Sequence, residues 1–261
     1  MPEVLNCADI VVRRGTRHLV DHVDWVVNDT ERWVILGPNG AGKTTLMMVA
    51  SGRMFPTSGR VEILGEQLGR TDMAELRPLI GWASSAMIND VPPGERVADV
   101  VLTGAYAVTG RWREQYESQD LMRAAQLMFS WGIDQLATRT FATLSEGERK
   151  RTMIARALMS NPEILLLDEP GAGLDLGGRE DLVARMSEFA TDLAQPCQIL
   201  ITHHVEEIPA GFTHALLLRD GKVVAAGPIG EVVTGPWLSS TFGIPVKVTR
   251  VGDRFLAVRD A

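Results

Sequence analysis

Short apolar runs divide the first third of the chain into predicted strands. The stretches "ADIVVRRG" and "DHVDWVVNDT" are β-branched segments broken by turns, and "ERWVILG" passes from a charged turn into an apolar strand. "TTLMMVASGR" then has helical character, with Gly52 expected as its C-cap, and "GRVEILG" is another strand between glycines. From about Pro92 to Ser160 the pattern lengthens, and "ERVADVVLTGAYAV", "SQDLMRAAQLMFSWG" and "SEGERKRTMIARALMSN" are predicted helices. In the second of these, the spacing puts Leu121, Ala125 and Met128 on one apolar face and turns Gln119, Asp120 and Arg123 away from it. The Met and Trp residues here are expected in the core.

Beyond Ser160, "PEILLLDEP" is a buried strand, "REDLVARMSEFATDLA" a helix and "CQILITHH" a strand. "HALLLRDGKVVAAG" is expected to form a hairpin turning at Asp220-Gly221, and "VKVTRVGDRFLAVRD" a second one around Gly252-Asp253. Continuous apolar strands alternating with helices indicate a mainly parallel α/β sheet, and the middle helices form an inserted subdomain.

Composition narrows the picture only a little. The length of 261 residues suits one large domain or a domain with a subdomain. Hydrophobic residues at 45% and charged residues at 23% give a globular balance. The net charge of −7 and the pI of about 5.3 disfavour broad docking on nucleic acid, and no nucleic-acid partner is expected. Cys7 and Cys197 lie far apart, without metal-type spacing, and are expected as reduced thiols of a cytosolic protein. The N-terminal stretch lacks the pattern of a secretion signal. No run approaches the roughly 20 apolar residues of a spanning helix, so the chain is expected to be soluble on its own.

The strongest chemical signal is "GPNGAGKTT": Gly37, Pro38, Asn39, Gly40, Ala41, Gly42, Lys43, Thr44 and Thr45. It fits G-x-x-x-x-G-K-[ST] between a strand and a helix. Glycines allow the backbone to wrap an anion closely, and the N–H groups and helix N-terminus supply the positive field. Lys43 adds a full charge for the β/γ-phosphates, and the Thr44 hydroxyl can reach Mg²⁺. A second constellation, "ILLLDEP", sets two carboxylates at the C-terminal end of a buried strand, where parallel sheets hold ligands. Asp168 is placed to organise Mg²⁺, and Glu169 to orient and deprotonate the attacking water. The stretch "LITHHVEEI" is open at this level between metal ligands, an acid–base pair and a solvated turn.

With "LSEGERKR", Leu144 to Arg151, between these motifs, the chain resembles the ATP-binding-cassette (ABC) ATPases. Its layout is similar to the ATPases of metal-chelate and vitamin importers, especially near Val97–Gly104 and in "GKVVAAGPIGEVVTGPWLSSTFGIPVKV". The resemblance implies a P-loop NTPase fold with a mainly parallel core, N-terminal antiparallel strands and a helical subdomain. It covers 1–261 as one ATPase domain, with 1–85 and 161–261 as nucleotide-binding core and 86–160 as the helical subdomain. ATP and Mg²⁺ are the implied ligands. Ser145 and Gly147 of the signature are implied to contact the γ-phosphate held by a second copy, head to tail. Asp175, in "GLD", falls in the D-loop. His203 takes the switch position, contacting γ-phosphate and attacking water, so no metal site is needed there. His204 stands where an aspartate is commoner and is left without a role, while Glu206 and Glu207 are expected as helix N-terminal charges.

Three residues depart from the family pattern. Ser85 stands roughly where a metal-reaching glutamine is usual, and Arg14 about where an aromatic stacks on adenine. Its planar guanidinium can stack instead, although a surface charge accounts for it equally well. Glu146 replaces a glycine of the signature and brings negative charge towards a phosphate. The resemblance implies a transporter ATPase working with a transmembrane permease, cytoplasmic and peripheral on the inner face of the membrane. The alternative is a soluble ATP-driven switch, which the altered segment at Ser84-Ser85 favours and the single cassette disfavours.

Overall fold

The computed structural model describes residues 2–106, 116–192 and 194–260. The first elements are β1 (Glu3–Arg14), β2 (Arg17–Asn28), β3 (Arg32–Leu36), α1 (Lys43–Ala50), β4 (Ser58–Ile63), β5 (Glu66–Gln67) and α2 (Met73–Leu76). Next come β6 (Ile80–Ser84), α3 (Val97–Leu102), α4 (Ser118–Ser130), α5 (Glu146–Ala157), β7 (Ile164–Asp168) and α6 (Leu176–Thr191). The chain closes with β8 (Cys197–Thr202), β9 (His214–Arg219), β10 (Lys222–Pro228), α7 (Ile229–Val232), α8 (Gly235–Phe242), β11 (Val246–Val251) and β12 (Arg254–Arg259). Two compact units result, one of residues 2–73 and 186–260, the other of 74–185 with the described gap inside it.

In the first unit, an antiparallel sheet has the order β2-β1-β4-β5. Strands β8, β3 and β9 pair in parallel, and β10 adds antiparallel to β9. Every residue of β3 and β8 is buried, Arg32, Gln198 and Thr202 included, as befits mainly apolar strands covered on both faces. The β9–β10 turn has Asp220 at φ 51° and Gly221 at φ 80°, the left-handed pair that a tight hairpin demands. β11 and β12 form the second expected hairpin, with Val251 paired to Arg254 across Gly252-Asp253. Helix α1 is capped at its C-terminus by Ser51, and Gly52 follows it at φ 66°. The glycine therefore sits one position beyond the cap, where the left-handed residue of a helix end belongs.

The second unit pairs β6 with β7 in parallel and packs α5 against β6, with α3 and α4 against α5. Met128, Trp131, Met153 and Met159 are core residues. The face expected of α4 is buried only at Met128. Ala124 and Met128 are buried, whereas Leu121 is 51% exposed and Ala125 also faces solvent. Arg123 causes the turn, because its guanidinium reaches the carbonyls of Leu158 (2.7 Å) and Met159 (3.0 Å). Two charge-assisted hydrogen bonds outweigh a few exposed methyl groups. The expected helix from Glu95 shortens to α3 and a 3₁₀ turn to Tyr106, and its last residues lie outside those described. Among the described residues, no helix is long and apolar enough to cross a membrane.

Candidate functional site

In the first unit, β3 delivers the chain into the loop at Gly37, and the fit there is tight. A Cβ on Gly37 would lie 2.1 Å from the carbonyl oxygen of Leu218, and one on Gly42 2.2 Å from that of Leu19. Both distances are far below contact, so only glycine admits the approach. Gly42 is also the N-cap of α1 at φ 101°, with no side-chain cap and no acid in the first turn. Lys43 is 5% exposed and folds back over the loop, its ammonium donating to the carbonyls of Gly37 (2.8 Å) and Pro38 (3.1 Å). Asn39 and Gly40 at the crest are exposed, as is Thr44 at the start of α1. Ala41 is buried, and Pro38 and Thr45 are partly so.

His203 follows β8, which lies beside β3 in register, Leu36 opposite Thr202. Adjacent strands run about 4.8 Å apart, so Gly37 and His203 leave neighbouring strands at the same level. The sheet thus brings two of the sequence-predicted elements together. The rings of His203 and His204 are 4.2 Å apart, and the Nδ1 of His204 faces Glu206 at 3.4 Å. Glu207 is not a helix-terminal surface charge. Only a three-residue 3₁₀ turn, Val205–Glu207, follows the histidines, and Glu207 is buried within it. Its carboxylate accepts from the Thr202 hydroxyl at 2.5 Å, and that hydroxyl accepts from the His204 backbone N–H at 3.0 Å. The backbone on both sides of His203 is therefore held. Arg14 lies exposed at the β1–β2 turn, opposite Arg17.

In the second unit, β6 and β7 end level, Ser84 opposite Asp168. Ser84, Ser85, Lys150 and Asp168 line a cavity of about 10 Å³, the room of one water. Ser85 opens a 3₁₀ turn, and the Ser84 hydroxyl accepts from the Ala86 N–H at 3.2 Å. Glu169 adopts φ 48°, a left-handed conformation uncommon outside glycine and asparagine. Such strain concentrates at working positions. Asp175 accepts from the Gly178 N–H at 2.7 Å and so caps the first turn of α6.

Ser145 is the N-cap of α5 in a reciprocal capping box. Its hydroxyl accepts from the Glu148 N–H (3.3 Å), and the Glu148 carboxylate accepts from the Ser145 N–H (2.7 Å). The Ser145 backbone N–H holds the Glu148 carboxyl below its ordinary range. The spacing Ser145-x-x-Glu148 is the sequence signal for this cap. Lys150 is 4% exposed, donates to the Ala172 carbonyl and lies 3.5 Å from Glu146. Cys7 and Cys197 are free and buried, with thiols pushed up to about 12 by burial, which leaves them inert as nucleophiles.

Oxygen donors dominate the positions expected to hold a metal: the hydroxyls of Thr44 and Ser85 and the carboxylate of Asp168. A hard cation such as Mg²⁺ takes such ligands and keeps several waters, so the oxygen chemistry of these side chains fits it. No group of three or more His, Cys, Asp or Glu suited to a metal occurs among the described residues.

Residues 20–172 match the protein family described as ABC transporter. YlmA of Bacillus subtilis, an uncharacterized ABC transporter ATP-binding protein, is 38% identical over 96% of this chain and 95% of its own length. The hemin import ATP-binding protein HmuV of Gloeobacter violaceus is 33% identical over 95% of this chain and 90% of its own. Among solved structures, CbiO1 of Clostridium perfringens, part of the transporter complex cbiONQ, superposes with a TM-score of 0.78 at 25% identity over 92% of this chain and 94% of its own. An ATP-binding cassette solved as a dimer with ADP and phosphate shares the fold, with a TM-score of 0.74 at 22% identity over 86% of this chain and 98% of its own.

Proposed function

The chain belongs to the ABC transporter family of ATP-binding proteins, and from that premise we propose that it binds and hydrolyses ATP as one of two copies driving a membrane permease. The observation that carries the reading is the backbone cradle of Gly37–Thr45, where Gly37 and Gly42 admit no side chain and the helix N-terminus has no side-chain cap. Gly37, Asn39, Gly40, Ala41, Gly42 and Thr45 present backbone N–H groups to the triphosphate, Pro38, which has no N–H, fixes the backbone between them, and Lys43 supplies the cation. Arg14 contributes a guanidinium plane towards adenine. Thr44, Asp168 and Ser85 would hold Mg²⁺, which when bound offsets charge on the β- and γ-oxygens. Residues 1–85 and 161–261 act as nucleotide-binding core and 86–160 as helical subdomain.

Hydrolysis divides among this chain's own groups. Glu169 takes the proton of the attacking water and orients it. His203, held by the Thr202–Glu207 hydrogen bonds, contacts the γ-phosphate. Ser145 and Gly147 of a second copy close over that phosphate, with Asp175 beside them. ATP thereby closes the pair and hydrolysis opens it. The permease keeps the chain peripheral on the inner face of the membrane. Relatives named as transporter subunits do not favour a soluble switch, and the hemin relative supports an iron-chelate cargo.

The test is gentle detergent extraction of the native protein and identification of what co-purifies. A stoichiometric polytopic membrane protein is expected. Recovery of the chain without any membrane protein, under extraction that keeps other transporters whole, would overturn the permease partnership.

A further inference from the structure

The glutamate at position 146 is the chain's least expected residue, since it carries negative charge into a helix N-terminus proposed to meet a triphosphate. Its surroundings show where that charge goes. A Cβ on Gly173 would lie 2.7 Å from Glu146 Oε1 and 3.2 Å from its Oε2, so the carboxylate lies in the space a side chain at 173 would fill. Lys150, one turn along the same helix, stands 3.5 Å from Glu146 and donates to the carbonyl of Ala172. Glu146 is half exposed, whereas the Lys150 side chain is almost wholly buried. The segment these groups grip runs from Glu169 through tight turns, Ala172 N–H to the Glu169 carbonyl (3.2 Å) and Leu174 N–H to that of Gly171 (3.2 Å), and ends at Asp175.

We propose that Glu146, Lys150 and Gly173 form a charged tie that fastens the signature helix to the Glu169–Asp175 segment and turns the Glu146 carboxylate away from the partner's phosphates. Glu146 and Lys150 are thus positioning residues. Gly173 makes room for the carboxylate, and Lys150 neutralises it while holding the adjacent carbonyl. The odd signature residue and the glycine 27 positions later in the chain (173 less 146) are two halves of one device. A helix N-terminus that would otherwise repel an anion keeps its field for Ser145 and Gly147. The inference rests on the head-to-tail ATP sandwich proposed above.

The experiment is a double-mutant cycle in the hydrolysis-blocked Glu169→Gln chain, reading ATP-dependent dimerisation by sedimentation and the thermal midpoint of the ATP-free protein. Lys150→Met strands the carboxylate and is expected to weaken the dimer about tenfold, within the range of coupling for contacting charges. Glu146→Gln keeps shape and removes charge, and is expected to change dimerisation less than about twofold, because the carboxylate is already neutralised. Combining the two should return the dimer to about the level of Glu146→Gln alone, while Lys150→Met lowers the thermal midpoint in either background through the lost Ala172 hydrogen bond. Independent, multiplying effects would overturn the tie. If Lys150→Met does not fold, Glu146→Gln decides alone, since a gain of about tenfold would mean that the carboxylate faces the phosphates. A Glu169→Gln chain that never dimerises with ATP would remove the sandwich and the tie's role with it, which separates that failure from failure of the tie.

Discussion

At the start of α1 the cap residue is Gly42, left-handed and without a side chain, and the first turn holds no acid. At the start of α5 the cap is Ser145, engaged with Glu148, and the first turn holds two acids. Both helix N-termini are assigned to phosphate, yet they are built in opposite ways. The first is moulded by close backbone packing against Leu19 and Leu218, and no side chain competes for its N–H groups. The second satisfies its own N–H groups until something better arrives. A permanent cradle suits a nucleotide that the subunit holds by itself. A self-capped terminus suits a phosphate delivered by another copy, because the isolated subunit then exposes no strong anion site.

The contrast can be broken at four points of decreasing force. Gly37→Ala puts a methyl into the Leu218 carbonyl and should cost about 4 kcal/mol or more, read as a large fall in the urea midpoint. A midpoint within error of wild type would mean that the loop is not packed as described. Lys43→Ala removes a charged donor to the phosphates and should raise the ATP Kd about 100-fold, or about 3 kcal/mol, in a titration of bound nucleotide. Ser145→Ala should leave that Kd unchanged and lower stability by about 1 kcal/mol, the worth of a cap. Its thermal midpoint should fall about 2–4 °C. A changed Kd would transfer Ser145 to the subunit's own site.

The smallest effect is one of pH. The Glu148 carboxyl is held below its ordinary range, so its contribution to stability is full above the unfolded value and is lost as pH falls through the folded value. Wild type should therefore lose stability below about pH 4 more steeply than Glu148→Gln, measured as denaturation midpoints across an acid series. Parallel curves would show that the capping box carries no charge-dependent part. The α1 cradle, without an acid in its first turn, has no counterpart to this dependence.

The same contrast explains what could be read before the fold was known. The α1 cradle is local: strand, loop and helix lie within fourteen residues from Arg32 to Thr45, and every requirement is written in adjacent letters. The strand ending in Asp168 was legible for the same reason. What escaped depends on distant pairs. Glu146 reads as a defect until Gly173, 27 positions later in the chain, is seen beside its carboxylate. Glu207 reads as a surface charge until the three-residue turn brings its carboxylate under Thr202. The face of α4 was misjudged because periodicity weighs methyl groups and cannot see the carbonyls of Leu158 and Met159 waiting for Arg123. Helices α7 and α8 went unnoticed because they are short, and α8 opens on Gly235 and Pro236, which read as a turn.

The central claim is that the permanent cradle loads ATP and the self-capped terminus then closes on the partner's phosphate. Sedimentation of the Glu169→Gln chain with and without Mg-ATP tests it most directly. The account predicts a monomer without nucleotide and a dimer with ATP, and a return to monomer when Lys43→Ala is added. A chain that stays monomeric while saturated with ATP would contradict it.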